Sequence, residues 1–224
     1  MRMGVFAIME FKDEQDESEK SSLGAESLPV DEGGETAREA EGGEDADEVD
    51  AQLMLAAAKD DLRSFEKLVV RHQQHLLNFF VRCGVYTDAE DLVQQTFVRL
   101  YRYRHRYERR AKFTTFLYLL ARQVRVDEVR KRIRQQRIKD QAREHKEELT
   151  PPAHGVPRDG LLVDVLQKAL DQLSENHREV IVLGVLQELP YAEISAILGV
   201  PVGTVKSRMF HALREMRRLL KNET

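Results

Sequence analysis

Apolar residues recur at every third or fourth position along this chain, and no stretch alternates apolar and polar as a half-buried strand would. The pattern predicts an all-α protein. Residues 51–58 make one short helix. Residues 61–85 make a longer one, with Phe65, Leu68, Val69, His72, Leu76, Phe79 and Phe80 along one side and Gly84 marking its end. A third helix starts at Asp88, placed to cap it, and buries Leu92, Thr96, Phe97, Leu100 and Tyr101. Thr114 or Thr115 opens a fourth, with Phe116, Leu119, Leu120, Val124, Val129 and Ile133 on its apolar side; beyond Arg134 the repeat fades. PPAHGVPRDG then predicts a linker, after which a helix restarts over residues 161–173 and Ser174 caps the next.

Residues 189–220 read as two short helices around a tight turn. Ile194 and Leu198 are apolar and one turn apart, Ser195 is small enough for a close crossing, Gly199 can take a positive φ, and Pro201 stops one helix and starts the next. Val205, Met209, Leu213, Met216 and Leu220 then share one buried stripe. The opposite face carries Ser207, Phe210, His211, Arg214 and Arg218, flanked by Lys206 and Arg208. A basic, hydrogen-bonding face at the start of a second helix suits the DNA major groove; an amphipathic hairpin with a solvated cationic side is the plainer alternative.

Charge separates the ends of the molecule. Residues 1–50 hold 17 acidic and 4 basic side chains, leaving 31 basic and 22 acidic for the remainder, so the net −4 conceals a basic body behind an acidic tail. With almost no aromatic or β-branched residues after Phe11, the tail is expected to be disordered; its charge also permits it to fold back on the body in place of a nucleic acid. The expected organisation is the tail over residues 1–50, one helical module over 51–140, a flexible linker over 141–160 and a second module over 161–224.

Residues 99–116, RLYRYRHRYERRAKFTTF, interleave seven arginines and lysines with Tyr101, Tyr103, Tyr107, Phe113 and Phe116. Cations neutralise phosphates while rings stack on bases that have left a duplex, so this composition points to single-stranded or opened nucleic acid, with some of the rings expected in the core. The helix that follows adds ten basic residues against four acidic ones over residues 122–146, a face able to track a phosphate backbone. Asp91, Gln94 and Gln95 form an acidic and amide-rich patch that reads either as solvated polarity or as a protein-docking surface.

Other chemistries find no support. His72 and His75 lack further metal ligands at a matching spacing and read as helix surface, and Cys83, the single cysteine, reads as core packing. Neither a glycine-rich phosphate loop nor a nucleophile–base arrangement is visible, so no catalysis, metal or cofactor is expected. No apolar run approaches the length of a membrane span and MRMGVFAIMEF lacks a cleavage site, so a cytoplasmic location without membrane insertion is expected.

DAEDLVQQTFVRLYR followed by KFTTFLYLLARQVRVDEVRK resembles the second conserved region of bacterial RNA polymerase sigma factors. LSENHREVIVLGVLQELPYAEISAILGVPVGTVKSRMFHALREMRRLL resembles the fourth. The absence of a third region between them is similar to the extracytoplasmic-function (ECF) subfamily. The resemblance implies a sigma factor that binds core polymerase and directs initiation at promoters by reading −35 and −10 elements and helping to open the DNA. Asp91, Gln94 and Gln95 would dock on the clamp coiled coil of the polymerase, whose flap is a second contact. Tyr107, Lys112, Phe116, Arg122, Gln123, Asp127 and Arg130 would serve −10 capture and melting. Gly203, Thr204, Lys206, Ser207, Arg208, Phe210 and His211 would read the −35 element. The acidic tail and exposed module faces leave room for an anti-sigma partner. Gln95, Phe116 and Gln123 stand where the family usually has glutamate, tryptophan and asparagine, so the family's −10 base preference does not transfer directly. A helix-turn-helix regulator that binds an operator without a sigma role is the alternative, and it would have no use for the first module.

Overall fold

Asp61 shows how the first module's helices are set. Its carboxylate accepts the backbone N–H groups of Arg63 (3.1 Å) and Ser64 (3.4 Å), two of the donors that a helix start leaves open. The computed structural model describes residues 41–142 and 161–222, and every regular element within them is helical. The first module comprises α1 (Glu41–Ala57), α2 (Leu62–Arg82), α3 (Ala89–Tyr103) running into a 3₁₀ turn (Arg104–Arg106), and α4 (Phe113–Ala142). The second comprises α5 (Leu161–Gln172), α6 (Glu175–Ile181) loosening into a π turn (Val182–Leu186), α7 (Tyr191–Leu198) and α8 (Val202–Asn222).

Met54, Leu68, Leu76, Phe79, Phe80, Leu92, Phe97, Leu100, Phe113 and Leu117 interlock at the centre of the first module. The second closes around Leu170, Val180, Leu183, Ile194, Ile197, Val205 and Met209. Gly199 (φ +66°) takes the left-handed conformation expected of it and sets the turn between α7 and α8, and Gly84 (φ +86°), expected to mark the end of α2, is left-handed as well. Ser174 caps α6 as expected, accepting the His177 N–H at 3.4 Å.

Several expectations give way. The first helix begins at Glu41 rather than residue 51, because Asp47 and Asp50 are core-facing and satisfied there. Residues 1–40, with the proposed fold-back of the tail, lie outside the described residues, as does the linker beyond Ala142. Asp88 makes no capping bond to α3; its carboxylate instead pairs with Arg132 of α4. On α8 the buried stripe is Val205, Met209, Ala212, Met216 and Leu219, while Leu213 is exposed. Val129 and Ile133 are exposed too, since α4 outruns the bundle it packs on. His72 is buried rather than on a helix surface.

The two modules also pack on each other, α4 against α7 and the end of α2 against the π turn. Arg82 donates to Gln167 (3.0 Å), Tyr86 donates to Asp171, and Arg178 reaches the Cys83 carbonyl (3.4 Å). The Cys83 thiol, enclosed at this seam, is pushed up to about 12 by burial and is inert as a nucleophile.

Asp50 joins α1 to α2 with one carboxylate: Arg71 donates to it at 2.6 Å and His72 bonds it at 2.8 Å, while the His72 ring lies 5.3 Å from Phe113. Burial alone would raise its pKa; the bonds from His72 and Arg71 outweigh this and hold it below the ordinary aspartate value. Since the folded-state value is depressed, this stabilisation is complete above about pH 4 and declines as the pH falls through the folded value. Asp50→Ala should therefore cost about 2–3 kcal/mol in urea melts at pH 7, and its deficit relative to the parent should shrink in melts at pH 3.

Candidate nucleic-acid interface

Three surfaces gather the predicted residues. On α3, Asp91, Gln94 and Gln95 are spaced by three and one, share one face and are all exposed, whereas Leu92, Val93, Thr96 and Phe97 between and beside them are buried. This face is acidic and amide-rich on a body otherwise dominated by cations.

The second surface is the loop between α3 and α4. Arg104 anchors the 3₁₀ turn: its guanidinium lies over the Tyr101 ring at 3.8 Å and donates to Asp60 at 2.9 Å. Beyond it the chain becomes extended at Tyr107 (φ −65°, ψ 125°) and crosses to the start of α4. The Tyr107 ring is buried against Phe116 (5.5 Å) and Phe113 (6.4 Å), and Phe116 also meets Tyr103 (5.4 Å). Tyr107 thus sits inside an aromatic cluster rather than standing out from it. Its hydroxyl is buried with no hydrogen-bond partner, and burial, with the Asp47 charge nearby, raises its pKa. A polar group left unsatisfied in this way costs about 1–3 kcal/mol until a partner arrives. Phe116 is half-buried in this cluster.

Residues outside the sequence-based set hold this loop in place. The Asp47 carboxylate accepts from the Thr114 N–H (3.3 Å) and hydroxyl (3.4 Å) at the α4 start, and Glu48 pairs with Arg109. The signal was present in the spacing of Asp47, Asp50, Met54 and Ala57, which follows a helical stripe. Two of its four members are charged, and so it reads as tail composition.

Along α4 the expected residues divide between two faces. Phe116, Gln123, Asp127 and Arg130 follow one another at intervals that keep them on one stripe, where Asp127 accepts from Arg99 (2.6 Å) and sits 3.9 Å from Arg130. Arg122 lies elsewhere, on a stripe with Thr115, Tyr118 and Arg125 that faces the second module. Its Nε is 3.3 Å from Glu179 but out of line for a hydrogen bond, and Lys112 pairs with Glu193 at 3.1 Å.

The third surface is the first half of α8. Lys206, Ser207, Phe210 and His211 are exposed, Phe210 to 65% and edge-on to His211 at 5.4 Å; Arg208 and Thr204 are half-covered. Ser195 donates to the Val200 carbonyl at 2.6 Å, closing the turn that aims the helix outward. At the helix start the Thr204 N–H is already used, donating to the Pro201 carbonyl at 2.8 Å. Gly203 remains open, with nothing near the place a Cβ would occupy. An exposed phenylalanine among cations is unfavourable in water and useful against a thymine methyl or a sugar.

Both modules have counterparts among known proteins. Residues 68–135 match the family model Sigma-70 region 2, and residues 164–216 match Sigma-70, region 4. The ECF RNA polymerase sigma factor SigW of Bacillus subtilis is 31% identical over 174 residues, which cover 73% of this chain and 92% of that protein. The RNA polymerase sigma factor CarQ of Myxococcus xanthus is 34% identical over 162 residues, 70% of this chain and 89% of its own. Among solved structures, the sigma factor RpoE in complex with the anti-sigma factor NepR from Bartonella quintana aligns with a TM-score of 0.59 at 27% identity, over 71% of this chain and 98% of that one. With both regions matched in order and relatives above 30% identity along most of their length, the chain belongs to the RNA polymerase sigma factors, in their extracytoplasmic-function group.

Proposed function

We propose that this chain binds core RNA polymerase and directs it to specific promoters, reading the −35 element with α8 and capturing opened −10 DNA with the loop and open face of α4. The observation that carries this reading is the pairing of an outward recognition helix with a separate module bearing the Asp91, Gln94 and Gln95 face. An operator-binding regulator needs the first of these and has no use for the second.

Each surface has a part suited to its chemistry. Asp91 supplies charge, and Gln94 and Gln95 supply amides, to a contact with the polymerase clamp; the second module meets the flap. Lys206 and Arg208 reach guanine edges or phosphates, Ser207 and His211 add hydrogen bonds, Phe210 meets apolar base or sugar surface, and Gly203 and Thr204 let the backbone approach closely. Lys112 and Arg130 neutralise phosphates at the opened strand, with Arg122 joining them once released from Glu179. Gln123 and Asp127 line the open stripe next to Phe116, and the unpartnered Tyr107 hydroxyl lies at the base of this region. Unstacking costs a few kcal/mol per base, which ring contacts and phosphate pairing offset only when the polymerase holds the rest of the complex. An anti-sigma protein is a further partner in this reading, supported by the likeness to a sigma factor solved with one.

Run-off transcription with purified core polymerase on a random promoter library, followed by sequencing of the transcripts, tests the proposal. Enrichment of one bipartite promoter is expected, and tight binding of the isolated chain to one duplex at physiological salt, without polymerase, would overturn it. Lys206→Ala or Arg208→Ala should cost about 1–3 kcal/mol and relax preference at −35 positions in the same assay. Asp91→Lys should lower transcription at limiting sigma by about tenfold, the equivalent of about 1.4 kcal/mol of docking, with output recovering as the chain is added in excess.

A further inference from the structure

The face of α4 turned toward the second module is cationic and hydroxylic, and what covers it is acidic. Lys112 pairs with Glu193 at 3.1 Å, and the Thr115 hydroxyl donates to the other Glu193 oxygen at 2.7 Å. Tyr118 donates to Gln187. Arg122 faces Glu179, and Arg125, only 4% exposed, donates to Glu179 and pairs with Glu175 at 3.0 Å. Three carboxylates from α6 and α7 therefore stand on Lys112, just before α4, and on two cations and a hydroxyl of α4, the groups that a run of phosphates would seek.

These contacts are suited to separation. A buried ion pair regains little more than the desolvation it costs, and here Arg122 Nε and Arg125 Nε are buried without a hydrogen-bond partner. Polar seams between modules of one chain favour relative motion. Meanwhile the Asp91, Gln94 and Gln95 face and the reading face of α8 are exposed in the closed chain, so closure blocks the inner face of α4 and leaves the polymerase and −35 surfaces open.

Building on the sigma reading above, we propose that Glu175, Glu179 and Glu193 form an acidic ridge that competes with single-stranded DNA for Lys112, Arg122 and Arg125. Opening of the modules and capture of the melted strand are then one coupled equilibrium. Affinity for a single strand is reduced by the fraction of chains that are closed, and any contact that parts the modules raises it. Polymerase docks first on the exposed α3 face, and the strand competes with the ridge afterwards.

The test uses the full chain, a fluorescent mixed-sequence single-stranded 12-mer at low salt, and small-angle X-ray scattering. Glu193→Gln and the double variant Glu179→Gln/Glu193→Gln keep side-chain shape and remove the competing charge. Both should bind the 12-mer about three- to tenfold more tightly and scatter with a larger radius of gyration, while binding of a duplex by the exposed α8 face stays constant. If the double variant does not fold, Glu193→Gln decides alone, since Glu193 lies at the margin of the seam. Folded variants that bind the 12-mer no better than the parent, or that stay equally closed, overturn the proposal. Run-off transcription separates the two readings: normal promoter-specific transcription without a gain in 12-mer binding sinks the ridge alone. A gain in 12-mer binding in a chain that never supports transcription sinks the sigma reading alone.

Discussion

Arg125 and Glu179 meet in a place from which water is nearly absent, each almost completely covered, and the arrangement of the two modules turns on that meeting. Neither charge would be tolerated there singly, for an uncompensated buried ion costs several kcal/mol. Each module therefore carries a group that is acceptable inside only when the other module is in position. Arg122 and Glu175 widen the pair into a small cluster on α6, and Lys112 with Glu193 repeats it near the start of α7. The buried apolar residues of both modules form one continuous cluster, and these charge pairs stand beside it at the seam.

The interior of each module was legible from spacing alone. Phe65, Leu68, Leu76, Phe79 and Phe80 fall on the side that periodicity assigned them, Gly84 marks the end of α2, Gly199 takes the left-handed turn its position called for, and Asp91, Gln94 and Gln95 point outward together. These features depend on neighbours within a few turns, which is the range over which helical periodicity carries information. Charged residues in core positions were the ones misread. Asp47 and Asp50 sit in a run of carboxylates and look solvated, yet Thr114, Arg71 and His72, distant in sequence, hold them in the bundle. Leu213 failed in the opposite sense: Ala212 and Leu219 carry the buried stripe at alternating four- and three-residue spacing from Val205, and Leu213 lies about 80° around the helix from that residue.

At the surfaces proposed to meet nucleic acid the division follows the same physics. Lys206, Ser207, Phe210 and His211 were recognisable because the stripe opposite them is apolar and local. Arg122 and Lys112 were recognisable as cations, but their partners belong to helices more than 50 residues away. Charge of this kind announces that a polyanion can bind without saying whether another part of the same molecule already does.

The π turn at Val182–Leu186 links these halves in another way. Its wider winding lets the Gln187 N–H reach the Val182 carbonyl at 3.0 Å and rotates the Gln187 side chain onto Tyr118 of the first module. In a regular α-helix each residue advances by about 100°, so losing one residue here would swing Gln187 away from that hydroxyl while α7 and α8 kept their own packing. A one-residue insertion or deletion at this turn would therefore act as a gear, re-aiming one half of the protein against the other without redesigning either.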